Sequence, residues 1–334
     1  MAIGSGIGSQ FGLAPEVTYG TYVAATRFYE AKSAKVAKVK NTSSWDGLAA
    51  GRQVMRNDGR VVTTKAGTVA IPELVVTTKD MGLILNQIFG GTVTPIVDGA
   101  TSSFTQTHPL VDIFGKSASL QSGVPLIGGT VIPQTALGAK LDDVEFTCGV
   151  DDPLLTMNLN WDAKDVTEAQ TLAAASYVTG RSPFHFGQMS VLTGTTVAGA
   201  TAADGVRKVT CKIDRKLKTD MFYANNLGLK EQPVQNDFAE VTGVITADYK
   251  TAAHWADRFR DDTGFSLVLK WVGANIQSTF FQTFELDLSA VFLDGDTPGI
   301  DGPDVVQTDF PYRAYFDLTN SPVTCIYRST DTVL

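Results

Sequence analysis

Residues 4–8, which read Gly-Ser-Gly-Ile-Gly, have the composition of a phosphate-binding loop. Glycines let backbone N–H groups approach a phosphate closely, but a nucleotide site also needs a preceding strand, a Gly-Lys-Ser/Thr ending and a helix that opens from the loop. The sequence indicates none of these three features here. We therefore interpret the segment as part of an extended N-terminal arm that covers residues 1–26.

Histidines and cysteines are the next candidates for chemistry. The histidines are His108, His185 and His254, and the cysteines are Cys148, Cys211 and Cys325. No histidine lies at i, i+4 from another or beside a cysteine, so we predict packing or surface roles and no metal site. The cysteines form no C-x-x-C pair and are too few for a disulfide framework, which favours a reducing compartment. No serine or cysteine has a recognisable base and orienting group, so we predict no catalytic residue and no cofactor.

Carboxylates could bind a cation in residues 294–304, which begin Asp-Gly-Asp like a calcium-binding EF-hand loop. Val305 stands at position twelve, where such a loop needs Glu, so an Asp-, Gly- and Pro-rich surface turn is favoured and calcium is the lesser alternative. The Asp pairs at 142–143, 151–152 and 261–262 fall at predicted strand or helix ends, where turns favour Asp. General acid–base catalysis is the minor interpretation of these pairs.

Charge is distributed unevenly along the chain. The formal net charge is −8, which argues against broad adhesion to nucleic acid. Residues 27–65 contain nine basic and three acidic residues, whereas residues 285–331 contain nine acidic and two basic ones. Opposite potentials of this kind fix the register of contacts between copies of a self-assembling protein, although they could also pair within one chain.

Composition indicates a mainly β fold. The chain of 334 residues contains 31 Gly and 13 Pro and is rich in Thr and Val, which favours strands and turns over long helices. At this length two hydrophobic cores are expected. No apolar stretch approaches the length of a membrane helix, and the N-terminus lacks the features of a signal peptide. We therefore predict a soluble protein made in the cytoplasm, without a membrane segment.

Helices are expected at few places. Residues 81–89 have apolar side chains at the spacing of one helix face, with Thr as the N-cap and Gly-Gly as the stop signal. The Ala-rich residues 167–177 predict one or two further turns of helix before a Gly-Arg-Ser-Pro sequence. A short helix over residues 251–259 is predicted in the second half of the chain.

The second half repeats the order of the first. Each half contains a basic strand, a polar loop, a Gly-led strand, a short helix and three strands. We predict a first β module over residues 27–168, a linker over 169–182, and a second β module over 183–334 that ends in a C-terminal arm. The expected fold class is thus mainly β, with two tandem β-sandwich or barrel modules, each flanked by one short α-helix.

Three stretches of the chain carry a resemblance to a known family. They are the opening residues 1–23, the loop Gly-Leu-Ala-Ala-Gly-Arg at 47–52, and the C-terminal region 293–331 with Leu-Asp-Gly-Asp-Thr-Pro and Ser-Pro-Val-Thr-Cys-Ile-Tyr-Arg. The chain resembles the major tail (tail tube) proteins of long-tailed, non-contractile bacteriophages, especially those of actinobacterial hosts. The likeness runs nearly end to end. These stretches are recurrent sequence features of the family, without the residues of a chemical motif, and they identify no active site.

The resemblance implies tail-tube-type β modules whose inner sheets join around a ring, and stacked rings that form the conduit for genome delivery. It implies a structural virion protein that is not an enzyme, with a tape measure protein and tail terminator and distal tail proteins as partners. Double-stranded DNA would pass transiently, without sequence specificity, along a polar and on balance acidic wall. Two modules per chain favour a trimeric ring with pseudo-six-fold symmetry over a hexamer with a decorating second domain.

Contact between copies or rings would use the basic loop and the acidic C-terminal region. The candidate residues are Trp45, Arg52, Arg56, Arg60, Asp294, Asp296, Asp301 and Asp304. The alternative function is a secreted or surface β-sandwich that binds carbohydrate or a receptor, for which Trp161, Trp255 and Trp271 would form a stacking platform. No signal peptide supports that alternative, and Trp271 lies in an apolar strand. An enzyme ranks third.

Overall fold

A computed structural model describes residues 3–249, 255–295 and 306–334. The fold is mainly β, as predicted, with two α-helices in this part of the chain. The strands of the first half are β1 (Gln10–Pro15), β2 (Arg27–Tyr29), β3 (Lys35–Ser44), β4 (Arg60–Val75), β5 (Ile96–Val97), β6 (Phe104–Pro109), β7 (Ala118–Pro125), β8 (Val131–Gly149), β9 (Thr156–Ala163) and β10 (Asp165–Thr167). Helix α1 (Gly82–Phe89) lies between β4 and β5, and a 3₁₀ turn (Asn57–Gly59) precedes β4.

The second half has the same kinds of element. Its strands are β11 (Met189–Gly194), β12 (Thr201–Ala202), β13 (Val206–Asp214), β14 (Leu217–Lys218), β15 (Val234–Gln235), β16 (Glu240–Asp248), β17 (Phe265–Gln277), β18 (Phe280–Leu293), β19 (Gln307–Tyr315) and β20 (Thr324–Ser329). Helix α2 (Ala256–Arg260) lies between β16 and β17, and a 3₁₀ turn (Phe186–Gln188) precedes β11. Residues 251–254 of the predicted segment 251–259, His254 among them, lie outside the described residues, and α2 begins within the remainder of that segment.

Eight strands form one continuous antiparallel sheet. Their order is β3, β4, β9, β8, β13, β16, β19 and β18. The sheet crosses from the first half to the second where residues 143–149 of β8 pair with residues 208–214 of β13. Both halves therefore share a single wall of strands, and we call the β8–β13 pairing the internal seam.

Strand pairing is repeated between the halves. In the first half β8 bends, so that its early residues pair with β7 and β10 while its late residues pair with β9. In the second half β18 pairs with β17 and β20 early and with β19 late. Strand β7 continues to β1 and β2 as β17 continues to β11 and β12. The same scheme thus occurs twice, while the boundaries at 27–168 and 183–334 stay predictions.

The halves also interlock away from the internal seam. Strand β6 belongs to the first half by sequence but pairs with β20, the last strand of the chain. Arg215, at the end of β13, is 1% exposed, and its guanidinium donates hydrogen bonds to the carbonyl oxygens of Ile88 in α1 and of Val111. A residue of the second half therefore satisfies one carbonyl group, that of Ile88, at the C-terminal end of the first helix, where it has no partner within the helix.

Helix α1 confirms the predicted helix and corrects its start. Its residues are all buried, and it ends at Gly90, whose φ of 84° is the left-handed conformation that glycine adopts without strain. The N-cap is Met81, without a side-chain cap, and not Thr. The hydroxyl of Thr78 is used elsewhere, because it accepts a hydrogen bond from the backbone N–H of Ser182.

Two further segments differ from expectation. Residues 10–15 of the predicted arm form the buried strand β1, which lies between β2 and β7. The predicted helical turns over 167–177 are wrong, because this segment runs without helix. Its backbone groups bond to glutamine side chains instead: Gln121 pairs with the carbonyl of Thr171 and the N–H of Ala173, and Gln10 donates to the Ala173 carbonyl.

Candidate assembly surfaces

The eight-stranded sheet turns one face to the core and the other outward. Core-facing positions alternate with polar ones along each strand, as expected for a half-buried antiparallel sheet. Some cations on the outward face pair with carboxylates. Lys212 Nζ lies 4.0 Å from Asp143, and Arg313 lies 3.6 Å from Glu240, which also pairs with Lys216 at 3.0 Å. This face is therefore polar and part of its positive charge is paired, whereas Lys35 and Lys208 make no ion pair with a described residue.

The sheet ends in two open edges. In the described part of the chain, β3 pairs with β4 alone, so its other edge presents unpaired backbone N–H and C=O groups. At the opposite end, β17 begins at Phe265 and pairs with Val291 of β18, so no strand among the residues that the structure places lies on that side of the residues that follow Val291. Unpaired edges of this kind are templates for pairing with another chain.

A hairpin projects from the first half. Strands β3 and β4 extend beyond the body, and the connection between them, residues 45–59, is exposed throughout except near its end. Its apolar side chains face solvent: Leu48 is fully exposed, and Val54 is 80% exposed. The Arg56 guanidinium lies 5.7 Å from the centre of the Trp45 ring, and Trp45 is itself 66% exposed. Exposed apolar and basic side chains are thus clustered at one tip of the subunit. We call residues 45–59 the projecting loop.

The matching connection in the second half is folded onto the body. Residues 219–238, between β14 and β16, reach back to the first half, and we call them the docked loop. Backbone N–H of Lys65 in β4 donates to the Gly228 carbonyl at 2.8 Å, and the Lys140 ammonium donates to the Pro233 carbonyl at 3.0 Å. Gly228 has a φ of 76°, and a Cβ there would lie 2.6 Å from the Thr63 carbonyl oxygen, so the close approach requires glycine.

A buried ion pair holds the docked loop. Lys230 is 2% exposed, and its ammonium pairs with the carboxylate of Asp162 in β9. Burial raises the pKa of Asp162 to about 6, and the nearby Lys230 charge offsets part of that rise. Burial also lowers the pKa of Lys140 to about 8. Charges so far removed from water depend on each other, so this ion pair anchors the docked loop to the body at Lys230, while Leu227 and Phe238 of the same loop remain about nine-tenths exposed.

The predicted contact residues fall into two separate places. Trp45, Arg52 and Arg56 lie in the projecting loop, and Arg60 begins β4 beside it, all of them exposed. Asp294 lies at the end of β18, where its backbone N–H donates to the Pro311 carbonyl at 2.8 Å. Asp296, Asp301 and Asp304 lie outside the described residues. The described chain thus brings Trp45 and Arg56 together, and the projecting loop has no ion pair with Asp294 there.

The histidines and cysteines are not gathered into a site. His108 is fully buried on β6, and His185 is exposed beside the 3₁₀ turn before β11. All three cysteines are buried and free, on three different strands. Among the residues that the structure places, no cluster of three His, Cys, Asp or Glu side chains could hold a metal ion. Neither described helix has the length and apolarity needed to cross a bilayer.

The structure contradicts the exposed aromatic platform that the carbohydrate-binding alternative requires. Trp161, Trp255 and Trp271 are 2%, 3% and 1% exposed, respectively. Trp255 stacks near Phe310 and Trp271 packs near Phe284, so both rings are core residues. The proposal that these three tryptophans form an exposed stacking surface is wrong, because all three rings are buried in the hydrophobic core.

Sequence reasoning missed two features of these surfaces. The first is the ion pair of Lys230 with Asp162, whose residues lie in a polar loop and a strand that no local pattern connects. The second is the open edge of β3. The sequence does contain a signal for this edge, because lysines such as those at 35, 38 and 40 are typical of edge strands.

The described chain is a mainly β protein with a polar sheet face, open sheet edges and a projecting loop that carries exposed apolar side chains. The model of the phage tail tube protein family matches residues 6–314, and the chain therefore belongs to that family. The resemblance noted in the sequence is confirmed, and the chain is a structural component of the phage tail. A search of curated protein sequences finds no match.

Proposed function

We propose that copies of this protein assemble into rings that stack into the tail tube, the conduit for genome delivery into the host. The observation that carries the proposal is the eight-stranded sheet, which is continuous through both halves of one chain and open at both edges. Joining such sheets edge to edge around a closed ring satisfies every backbone group that one chain leaves unpaired.

Three copies per ring are favoured over six. The same strand scheme occurs twice in each chain, so three chains supply six equivalent sets of strands. Closed cyclic symmetry requires only that the interfaces close, and a pseudo-six-fold ring of three chains meets that condition.

Ring stacking is assigned to the projecting loop. Its exposed Leu48 and Val54 would be covered by the adjacent ring, and Arg52 and Arg56 would meet acidic residues of the C-terminal region there, Asp294 among them. In this arrangement Asp296, Asp301 and Asp304 are also candidates, on the basis of the sequence. Burial of apolar groups would supply affinity, and the charges would set the register.

The outward face of the sheet would line the lumen. Lys212, Lys216 and Arg313 pair with carboxylates there, which lowers the number of free cations that would bind the phosphates of passing double-stranded DNA. A wall of this kind lets DNA slide without sequence-specific contact. The expected setting is the virion tail, after synthesis in the host cytoplasm, with a tape measure protein and terminator and distal tail proteins as partners.

Negative-stain electron microscopy of the purified chain at high concentration tests the proposal. We expect hollow tubes or rings from the natural sequence. We expect no tubes from R52E/R56E, because reversal of both charges opposes contact with the acidic region, while circular dichroism shows that its subunits remain folded. The matched control R52K/R56K keeps both charges and should form tubes. Tubes of normal length from R52E/R56E would contradict the stacking contact assigned to the projecting loop. Dispersed monomers of the natural sequence, in low and high salt alike, would contradict the proposed function.

A further inference from the structure

A cavity of about 570 Å³ lies beside the start of β3 and the end of β4, and we call it the end cavity. We propose that the end cavity receives the projecting loop of a second copy, which lies in the adjacent ring. The ligand is thus a loop of this same chain, with exposed apolar side chains and arginines. The inference rests on the proposed function, because it names the site by which one ring holds the next.

The end cavity and the projecting loop lie at opposite ends of one hairpin. Ala34, directly before β3, and Val75, the last residue of β4, line the end cavity. The projecting loop joins the other ends of the same two strands. Strand β3 has ten residues at about 3.3 Å each, so roughly 30 Å separates the loop from the end cavity. The projecting loop therefore cannot enter the end cavity of its own chain.

Side chains from four segments form the apolar part of the cavity wall. They are Phe11 of β1, Tyr29 of β2, Leu154 before β9, and Tyr177 between β10 and β11. Leu154 and Tyr177 are each 38% exposed, so the subunit leaves part of this apolar surface in contact with water. Sites that bind ligands are concave, enclose about 300–1,000 Å³ and are lined largely by apolar and aromatic side chains. The end cavity lies within that size range and offers such surface to a partner.

The projecting loop carries side chains of the kind that fill such a cavity. Leu48, Val54 and Trp45 are all exposed in the single subunit. Transfer of apolar side chains from water into a cavity is the main favourable contribution to most protein association. Residues that dominate such contacts are enriched in Trp and Arg and lie in well-packed pockets of the partner. Trp45 and Arg56, which lie together in the loop, have this composition.

Carboxylates border the end cavity. Glu30 and Glu73 line it, and their side chains are exposed although each pairs with one cation of its own chain. Asp151 and Asp152 are exposed in the turn between β8 and β9. The hairpin that carries the projecting loop, residues 35–65, contains seven basic and two acidic residues. Opposite charges at the two ends favour head-to-tail contact and oppose contact between two like ends.

The sheet places the acidic C-terminal region at the same end as the end cavity. One row of directly paired residues crosses the sheet through Val75, Thr156, Thr147, Thr210, Val244 and Pro311. Asp294 adjoins the last of these, because its backbone N–H donates to the Pro311 carbonyl at 2.8 Å. The end cavity and Asp294 therefore face the same neighbouring ring. A contact between opposite ends of identical copies is heterologous, so it repeats along the tube without closing.

Engineered disulfides test the site. The variant S33C/L48C places one cysteine at the end cavity, where Ser33 is exposed, and one in the projecting loop. The natural cysteines are buried and remain in place. Within one chain the two positions lie farther apart than the roughly 7 Å between Cα atoms that a disulfide spans, so a bond forms only between copies. L48C/V150C is the matched control, because Val150 is exposed in the turn between β8 and β9 but does not line the end cavity.

Each variant is assembled, oxidised and run on a non-reducing gel, with microscopy of the same sample. We expect a ladder of dimers, trimers and longer covalent chains from S33C/L48C, about tenfold more than from L48C/V150C or from either single variant. Tubes of S33C/L48C with no excess of cross-link would overturn the end cavity as the receiving site and leave the proposed function standing. Failure of the natural sequence to form rings or tubes in the same buffers would contradict the proposed function as well.

A second pair of variants needs no cross-link. S33W places an indole at the end cavity and should lower the yield of tubes about fivefold or more, because the projecting loop then meets an occupied site. V150W adds the same side chain outside the end cavity and should leave the yield unchanged. Circular dichroism checks that both variants are folded. Equal yields of tubes from folded S33W and V150W would also overturn the inference.

Discussion

The two β-strand connections at matching places in the halves behave differently. The docked loop between β14 and β16 folds back onto β4, β8 and β9, and its Lys230 is buried against Asp162. The projecting loop between β3 and β4 leaves Leu48 and Val54 in solvent. One strand scheme thus produces a connection that a buried ion pair anchors to the body, although its Leu227 and Phe238 are exposed, and another connection that has no such anchor. The difference separates contacts that stabilise the subunit from contacts that are available to other copies.

The same contrast applies to the sheet edges. The β8–β13 edge is closed inside the molecule, and the β3 and β18 edges are open. If this division is correct, breaking a closed contact lowers the free energy of unfolding, whereas changing an open surface affects assembly and leaves the subunit folded.

The largest loss of stability is expected at the docked loop. In K230M the Asp162 carboxylate stays buried without its partner, so the free energy of unfolding should fall by about 3–5 kcal/mol at neutral pH. Because the pKa of Asp162 is already raised to about 6, protonation at lower pH relieves the unpaired charge. The loss should therefore be larger at pH 8 than at pH 5. Chemical denaturation at the two pH values measures it.

Two companion variants sharpen this comparison. Adding D162N to K230M removes the unpaired charge and should recover part of the lost stability. R52M in the projecting loop is the matched control, since it also replaces a cation by Met, and it should change the free energy of unfolding by about 0.5 kcal/mol or less. Equal decreases in the free energy of unfolding for K230M and R52M would contradict the distinction between the docked and projecting loops.

A smaller effect is expected where β6 joins β20. Burial lowers the pKa of His108 to about 4, and the nearby Lys116 charge lowers it further in the same direction. An unfolded histidine takes up a proton near pH 6.5, so this neutral histidine contributes stability above that pH and loses it as pH falls towards 4. Between pH 7 and pH 4 the stability advantage of the natural protein over H108Q should shrink by up to about 3 kcal/mol.

Thermal or denaturant unfolding of both proteins across this pH range supplies the test. A constant difference in unfolding free energy between the natural protein and H108Q from pH 7 to pH 4 would contradict this prediction. It would show that His108 titrates as it does in water, and that the β6–β20 contact between the halves is open to solvent.

The smallest effect on the subunit is expected in the projecting loop. The exposed pair of Arg56 with Asp58 is of the kind that contributes at most about 1 kcal/mol, so R52E/R56E should unfold almost as the natural protein does. Its defect should lie in tube formation alone. A large loss of subunit stability in this variant would mean that the projecting loop belongs to the closed part of the molecule.

Local signals in the sequence predicted much of the fold. Apolar spacing and Gly-Gly located α1, and alternation located β3, because both depend on near neighbours in the chain. The Ala-rich residues 167–177 misled, since helix propensity is a weak preference and Gln121 offered their backbone a better set of partners. The buried strand β1 and the Lys230–Asp162 pair depend on contacts between distant segments, and no local pattern reports such contacts.

The central claim is that the two halves are equivalent units of one closed wall, so that three chains complete a ring. Class averages of end-on views by electron cryomicroscopy, combined with the mass of isolated rings, measure it most directly. The account predicts three-fold symmetry with six similar lobes around the lumen and three chains per ring. Six chains per ring, with the second half outside the wall, would contradict it.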